Sequence, residues 1–380
     1  MTPLDPPPTA VPGPTTAPAP TAAGGADSGA DSGADTGAGQ EGLVSPPGLD
    51  LAALSAYLDA TVPGRSGPLR ATLLSGGRSN LTYHVWDDAA HWALRRPPLG
   101  NLTPSAHDMR REYRVVAALR ETPIPVAEAV AYCDDPAVLG VPFAMVSLVD
   151  GVVLRSRADL APYSDADVRR CAENLLRTLA RLHAVDHRAV GLEKFGRPEG
   201  YLRRQVDRWR GQWERVRTRP LPDLDALHAR LDAAVPAESD ASIVHGDARI
   251  DNFVLDPDDI GAVRALLDWE MATLGDPLAD LGLTIVYRDP DFDPVLGGSA
   301  AAASDRMPGG DEMIEIYARE SGRDIVNMDF YLALGYFKLV VIAEGIHARH
   351  LAGNTVGEGF DLVGQAVPAL AAGGLRALAD

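Results

Sequence analysis

The feature that most constrains this chain is the segment Ile243–Glu270. Two short apolar runs, Asn252–Leu255 and Ala262–Leu267, flank Asp256-Pro257-Asp258-Asp259. Proline with neighbouring aspartates marks a turn, so the runs can pair as a hairpin. Pairing brings its open ends together and sets Asn252 beside Asp268, next to the loop that carries Asp247. Two carboxylates and an amide at one end of a hairpin give oxygen ligands suited to Mg²⁺, with a base close by. Phosphoryl transfer uses such a set, because metal bridges phosphate oxygens while a separate carboxylate takes the proton of the attacking hydroxyl. Asp and Asn are common in turns, but His245-Gly246-Asp247, Asn252 and Asp268-Trp269-Glu270 recur here in order after apolar strands.

The flanking periodicities place this segment. Ala71–Leu74, Leu81–Trp86 and His91–Arg95 read as strands, separated by the turn cluster Ser75–Asn80 and by Asp87-Asp88. A helix follows around residues 106–120, and the apolar run Phe143–Val149 reads as another strand. From Ser164 the period becomes helical. Ser164 and Asp167 resemble a capping box, and Val168, Cys171, Leu175, Leu179 and Leu182 form one stripe. Further helices are predicted over Tyr201–Val216, Leu224–Ala234, Asp311–Glu320 and Phe330–His350. The pattern predicts an α+β, two-lobed fold, with a β-rich lobe at 43–151 and a larger, mostly helical lobe at 152–380. Residues 1–42, rich in Pro, Ala, Gly and Asp, lack large apolar groups and are expected to be a disordered tail.

Composition removes other classes. The 380 residues carry 35 Lys+Arg against 53 Asp+Glu, a net charge of −18, which argues against nucleic acid as a partner. The first 50 residues hold six acids and no base, so −12 falls on the remaining 330. No uninterrupted run of 18 apolar residues suggests a membrane span, and no basic-then-apolar leader opens the chain, so a cytoplasmic location is expected. Cys133 and Cys171 are too few for a disulfide framework. Lysine occurs only at Lys194 and Lys338, neither after glycine, which excludes a Walker A loop.

His-Gly-Asp-x-x-x-x-Asn, then Asp-Trp-Glu, then Gly275-Asp276-Pro277-x-x-Asp280-Leu281 resembles the aminoglycoside phosphotransferase family, with its protein-kinase-like fold and its choline-kinase-like relatives. The nearest resemblance is to the phosphotransferase-like domains associated with certain acyl-CoA dehydrogenases. It is supported by Gly77–Tyr83, Leu94–Pro98, Arg111–Val115, Phe195–Pro198, Gln205–Trp209 and Gly345–Arg349. The resemblance implies ATP and Mg²⁺ as cofactors and a small-molecule hydroxyl as acceptor. It implies Asp247 as catalytic base, His245 as brace of the catalytic loop, and Asn252 and Asp268 as metal ligands. Ser75, Gly76, Gly77, Ser79 and Asn80 would cover the phosphates. Glu112 would pair with Arg95, which stands where many relatives have Lys. Backbone near Ser147 and Val149 would meet the adenine. Ala248 replaces an aromatic frequent in relatives, which implies a roomier substrate side.

The remaining features carry less. His183 and His187, spaced as in a zinc motif but with Ala184 between them, read as packing, as do Trp209 and Trp213. His347 and His350 could line a substrate pocket, Asp276 and Asp280 read as braces of the loop, and Arg203, Arg204, Arg208 and Arg210 as a solvated helix face. A hydroxyacyl-type metabolite, CoA thioesters included, is the favoured acceptor. An antibiotic kinase is the first alternative, and a nucleotide-binding pseudokinase or partner-binding module the alternative of another class.

Overall fold

The computed structural model describes residues 45–75, 80–99, 108–236, 241–355 and 359–378, with Ser75 described by its backbone alone. The chain divides into two units, Met1–Leu43 and Val44–Asp380, and the description concerns the second. The expected tail and Gly76, Gly77 and Ser79 lie outside the described residues.

Helix α1 (Leu51–Thr61) starts at Asp50, whose carboxylate accepts from the Ala52 and Ala53 amides. Strands β1 (Arg70–Ser75), β2 (Leu81–Trp86) and β3 (His91–Arg96) follow, then α2 (Met109–Leu119), β4 (Ala129–Cys133), the short α3 (Pro136–Leu139) and β5 (Phe143–Ser147). The strands form one antiparallel sheet in the order β1-β2-β3-β5-β4. Alternation decides which face is covered. Tyr83 and Val85 on β2, and Trp92 and Leu94 on β3, enter a core shared with Leu54 and Leu58 of α1. The apolar run that reads as a strand to Val149 leaves the sheet at Ser147. Helix α2 begins only at Met109, where Asp108 caps the Arg111 amide.

The larger part begins with α4 (Asp165–Ala184), whose Ser164/Asp167 capping box is formed in both directions; such a cap contributes about 1 kcal/mol. Then come α5 (Tyr201–Val216), α6 (Pro222–Ala233), β6 (Ser242–Val244), the hairpin β7 (Phe253–Leu255) and β8 (Val263–Leu266), and β9 (Thr273–Gly275), which pairs with β6. The chain closes with α7 (Pro277–Val286), α8 (Asp293–Leu296), α9 (Gly310–Ser321), α10 (Met328–Leu351) and α11 (Val363–Ala377). Helix α10 is packed by α5, α6, α7 and α11, which is why it is apolar nearly all round. By length and average hydropathy α10 is the one described helix that could cross a membrane, yet 67% of its apolar window is buried in the fold. Val115, Val116 and Leu119 of α2 belong to this second core, so α2 joins the sheet to the helices. Cys133 and Cys171 are free and buried.

Candidate active site

The site is built on the turn after β6. Gly246 has φ +81°, and a Cβ there would meet the Met271 carbonyl oxygen at 2.8 Å, so only glycine fits. The turn leaves two backbone donors pointing into the protein, and Asp280, in the first turn of α7, takes both. The His245 amide reaches its Oδ2 at 2.6 Å and the Gly246 amide its Oδ1 at 2.8 Å. His183 Nε2 lies 3.2 Å from the same carboxylate and its Nδ1 2.7 Å from the Tyr317 hydroxyl. Burial pushes the Asp280 carboxyl up, but the bonds and charge of His183 and His245 outweigh it and hold it below the ordinary range. His183, which reads as packing in the sequence, is thus part of the loop's support. Asp276 caps α7 at the Leu278 amide and accepts from Tyr331 at 2.9 Å.

Asp247 follows on the open side of the turn. Its Oδ1 accepts from the Tyr287 hydroxyl, and its Oδ2 from Asn252 Nδ2 at 3.1 Å. Arg249 Nε stands 3.6 Å from Oδ2. Asn252 Nδ2 also donates to the Asp247 carbonyl at 2.7 Å, which turns the amide nitrogen to the loop and leaves Oδ1 as the available oxygen. His245 is fully buried. Its Nε2 faces the Leu267 carbonyl at 2.8 Å and its Nδ1 accepts from the Asp247 amide at 3.2 Å. It positions the loop and touches no cleft.

The hairpin register carries Asp268 to the same place. Phe253 pairs with Leu266, and the Leu267 amide donates to the Asn252 carbonyl at 2.8 Å. Asp268 has φ +62° and ψ +61°, a conformation that costs a non-glycine residue roughly 1–2 kcal/mol and clusters at functional sites. Across the cleft Arg95 reaches Glu112 Oε2 at 3.0 Å, Asp268 Oδ1 at 3.1 Å and Glu270 Oε2 at 3.8 Å. These carboxylates outweigh the burial that would lower the guanidinium and raise its pKa. Arg95 Nε is buried and has no hydrogen-bond partner among the described residues. Glu112 and Glu270 are each pushed up to about 7, first by burial. Asn80 donates to Glu112 at 3.1 Å and to Glu270 at 3.4 Å, so the last residue of the glycine turn rests on these acids.

Two hollows meet at this arrangement. A cleft of about 470 Å³ runs under the sheet, walled by Ala93, Ala144, Val146 and Leu266, and reaches Arg95, Asn252 and Asp268. Ser147 and Val149 do not line it. The Ser147 amide donates to the Glu128 carbonyl and its hydroxyl oxygen accepts from the Glu128 amide, so its backbone donor is not available to a ring, whereas the Val149 amide has no partner among the described residues. A second chamber of about 440 Å³ opens on the other side of Asp247, walled by Met271, Phe292, Val295, Leu339 and Ile342. Ala248 faces neither hollow: it lines a small apolar void behind the loop, against Leu175 and Leu179 of α4. The space implied at Ala248 is therefore in the core and not on the substrate side. Neither His347 nor His350 lines the chamber; Arg349 does.

Sequence reading missed Tyr287, Arg249 and Lys338. Lys338 donates to the Gly246 carbonyl at 2.6 Å from α10. The signal for Tyr287 was present: Asp280, Thr284 and Tyr287 share one face of α7, and Thr284 Oγ1 bonds the Ala248 carbonyl at 2.9 Å.

This architecture is found in known proteins. A crystal structure from Ralstonia eutropha, provisionally described as an aminoglycoside phosphotransferase, has a TM-score of 0.75 and 32% identity, covering 87% of this chain and 98% of that one. The GDP complex of aminoglycoside 2'-phosphotransferase-IIIa has a TM-score of 0.57 at 15% identity, over 86% of this chain and 99% of that one, a likeness of fold alone. Among curated proteins, acyl-CoA dehydrogenase family member 11 of Gallus gallus is 36% identical over 338 residues, 86% of this chain and 43% of the relative. Member 10 of Mus musculus is 33% identical over 309 residues, 80% of this chain and 28% of the relative. The chain thus spans less than half the length of these relatives. Residues 70–316 match the model of the phosphotransferase enzyme family, and the chain belongs to that family.

Proposed function

We propose that the protein transfers the γ-phosphoryl group of ATP, with Mg²⁺, to a hydroxyl on a small molecule with an apolar chain, a hydroxyacyl-type acceptor. One observation carries this reading. Asp247, Asn252 and Asp268 meet where the nucleotide-sized cleft and the apolar chamber join.

The residues present fit both cofactors. No group of three or more His, Cys, Asp or Glu suited to a metal occurs among the described residues. Asn252 Oδ1 and Asp268 instead offer two hard oxygens, the number Mg²⁺ uses when phosphates complete its shell. Arg95 Nε, without a hydrogen-bond partner among the described residues, suits a phosphate oxygen. Related folds are held by GDP and ADP complexes. Mg²⁺, when bound, neutralises phosphate charge. Asp247 Oδ2 accepts the proton of the acceptor hydroxyl, Tyr287 and Asn252 fix the carboxylate, and the Asp280 clamp keeps its backbone in place.

The chamber's charged wall sets Arg249, Lys338 and Arg349 against Asp247, Asp268 and Glu270 and so does not select by net charge; the apolar side chains of Phe292, Val295, Leu339 and Ile342 are what favour an acceptor with an apolar chain over an antibiotic polycation. The intact trio argues against a silent pseudokinase. The test is ADP release from Mg-ATP with hydroxyacyl thioesters, the same thioesters lacking the hydroxyl, and aminoglycosides. Hydroxyl-dependent release supports the reading. Release stimulated only by aminoglycosides, or by none, sinks it.

A further inference from the structure

A groove of about 830 Å³ runs from the catalytic turn along α5. It is lined by Arg111, Arg197, Arg204, Arg208 and Lys338, against the acids Asp108, Asp207 and Glu270. None of the five cations forms an ion pair among the described residues. Roughly half of the described arginines pair with a carboxylate, Arg170, Arg177 and Arg264 among them, so what sets these five cations apart is that they gather at one groove. The faces of α5 make the contrast sharp. Arg203 pairs with Asp232, and Arg210 with Asp225 and Glu214, as a solvated face should. Arg204 and Arg208, at i and i+4, share another face and turn to the groove. The expectation of one solvated basic face therefore holds for half of this cluster.

The groove cations are held by neutral groups. Arg111 Nε and Nη2 donate to the Ala272 carbonyl at 2.9 and 2.8 Å, and its guanidinium lies 4.1 Å from the Phe195 ring centroid. Arg204 donates to the backbone carbonyls of Glu199 and Arg197. Arg208 and Lys338 lie at the Trp209 ring, 5.6 and 5.7 Å from its centroid. Such contacts fix position without cancelling charge. Burial pushes the Arg111 and Lys338 pKa values down, against the pull of Asp108 on the first and of Asp247 and Asp280 on the second, and the Arg208 guanidinium adds a smaller push in the same direction. Gly246, Glu270, Met271 and Lys338 line both the groove and the chamber at Asp247, so the two are continuous.

We propose that this groove binds the phosphate-bearing end of the acceptor, a carrier such as coenzyme A, while the acyl hydroxyl lies at Asp247; the placement of the hydroxyl rests on the function proposed above. Guanidinium forks match phosphate oxygens two at a time, which an acidic protein surface otherwise repels.

The test is calorimetric titration of the full chain with coenzyme A in saturating Mg-ADP, which blocks the nucleotide cleft. Pantetheine and inorganic phosphate are the comparison ligands. Coenzyme A should bind, with pantetheine undetectable and inorganic phosphate far weaker. An Arg204→Gln/Arg208→Gln protein should lose about tenfold or more in affinity, with an unchanged Mg-ADP thermal shift as the check on its fold. Arg203→Gln/Arg210→Gln should bind as the parent does. If the double variant does not fold, Arg208→Gln alone, at an exposed position, carries the test. Equal binding of pantetheine, equal binding of inorganic phosphate, displacement by Mg-ADP, or no effect of the groove substitutions would each overturn the proposal. Arginine-dependent coenzyme A binding without hydroxyl-dependent turnover supports the groove and removes the proposed reaction. Turnover with an acceptor KM indifferent to Arg204 and Arg208 does the reverse.

Discussion

The two sides of the catalytic turn handle charge in opposite ways. On the nucleotide side the central charges answer one another within the protein: Arg95 joins Glu112, Asp268 and Glu270, and Asn80 bonds two of those acids. On the groove side Arg111, Arg197, Arg204, Arg208 and Lys338 converge with no ion-pair partner among the described residues. Arg95 on Asp268 balances the cleft in the absence of ligand, so under the proposed function the loading of metal and phosphate would be an exchange of ionic partners. The groove holds its charges unpaired, so an anion arriving there displaces nothing. Removing a charge should therefore injure the first side and leave the second at rest.

The largest effect belongs to the residue between them. Asp247→Asn keeps the hydrogen bonds to Tyr287 and Asn252 within reach but removes the proposed proton acceptor. Turnover should fall by about 10²–10⁴-fold, with nucleotide Kd nearly unchanged. Full turnover in this variant would move the base elsewhere. Loose phosphoryl transfer places the smaller end of the range within expectation.

Arg95→Met tests the interlocked side. It leaves Glu112, Asp268 and Glu270 facing one another in a half-buried cleft. Breaking such a cluster costs about 2–4 kcal/mol, softened where an acid takes up a proton. Chemical denaturation at pH 8, where that relief is smallest, should show the loss, and at pH 6 the loss should shrink. Equal stability to the parent at both values would mean that the cluster is not the balance described here.

How much of this could be read from residues alone follows the same division. Asp247, Asn252 and Asp268 sit on one hairpin, and two short apolar runs around Pro257 suffice to join them. Their juxtaposition was legible because the interaction is local and the register is fixed by the turn. The sheet strands were legible by alternation, except β4, whose Ala-Val-Ala-Tyr-Cys sequence carries little pattern and a register shift. The Arg95–Glu112 pair came through family resemblance, since nothing local links a strand to that helix. Lys338 and the groove were not legible: α2, α5 and α10 supply them from positions more than 200 residues apart. Only packing decides which of four nearby arginines border the groove.

Glu112 gives a pH signature to the interlocked side. Its carboxyl is pushed up to about 7, by burial first, against the pull of Arg95, and an unfolded glutamate titrates near ~4.3. Between these values the folded chain keeps a proton that the unfolded chain has lost. Stability from this group is therefore full below the unfolded value and declines as pH rises through the folded one, by roughly 1.4 kcal/mol per unit at most. Glu112→Gln should flatten that part of the stability profile between about pH 5 and 7. A profile as steep as the parent's would assign the dependence to other groups.

The smallest effect is expected at Arg208, and it is the direct counterpart of Arg95. Arg208 is exposed, has no acid partner among the described residues and lies near Arg111 and Lys338, both of which it repels. Arg208→Gln removes that repulsion and gives up a ring contact at Trp209. The two terms oppose each other, and both are small at an exposed position, so stability without ligand should change by no more than about 0.5 kcal/mol. If it moves at all, it should rise, and more so at low ionic strength, where like charges repel over a longer range. Urea denaturation at two salt concentrations reads this out. A clear loss of stability would mean that Arg208 already has a structural partner, and the contrast between the two sides of the turn would disappear.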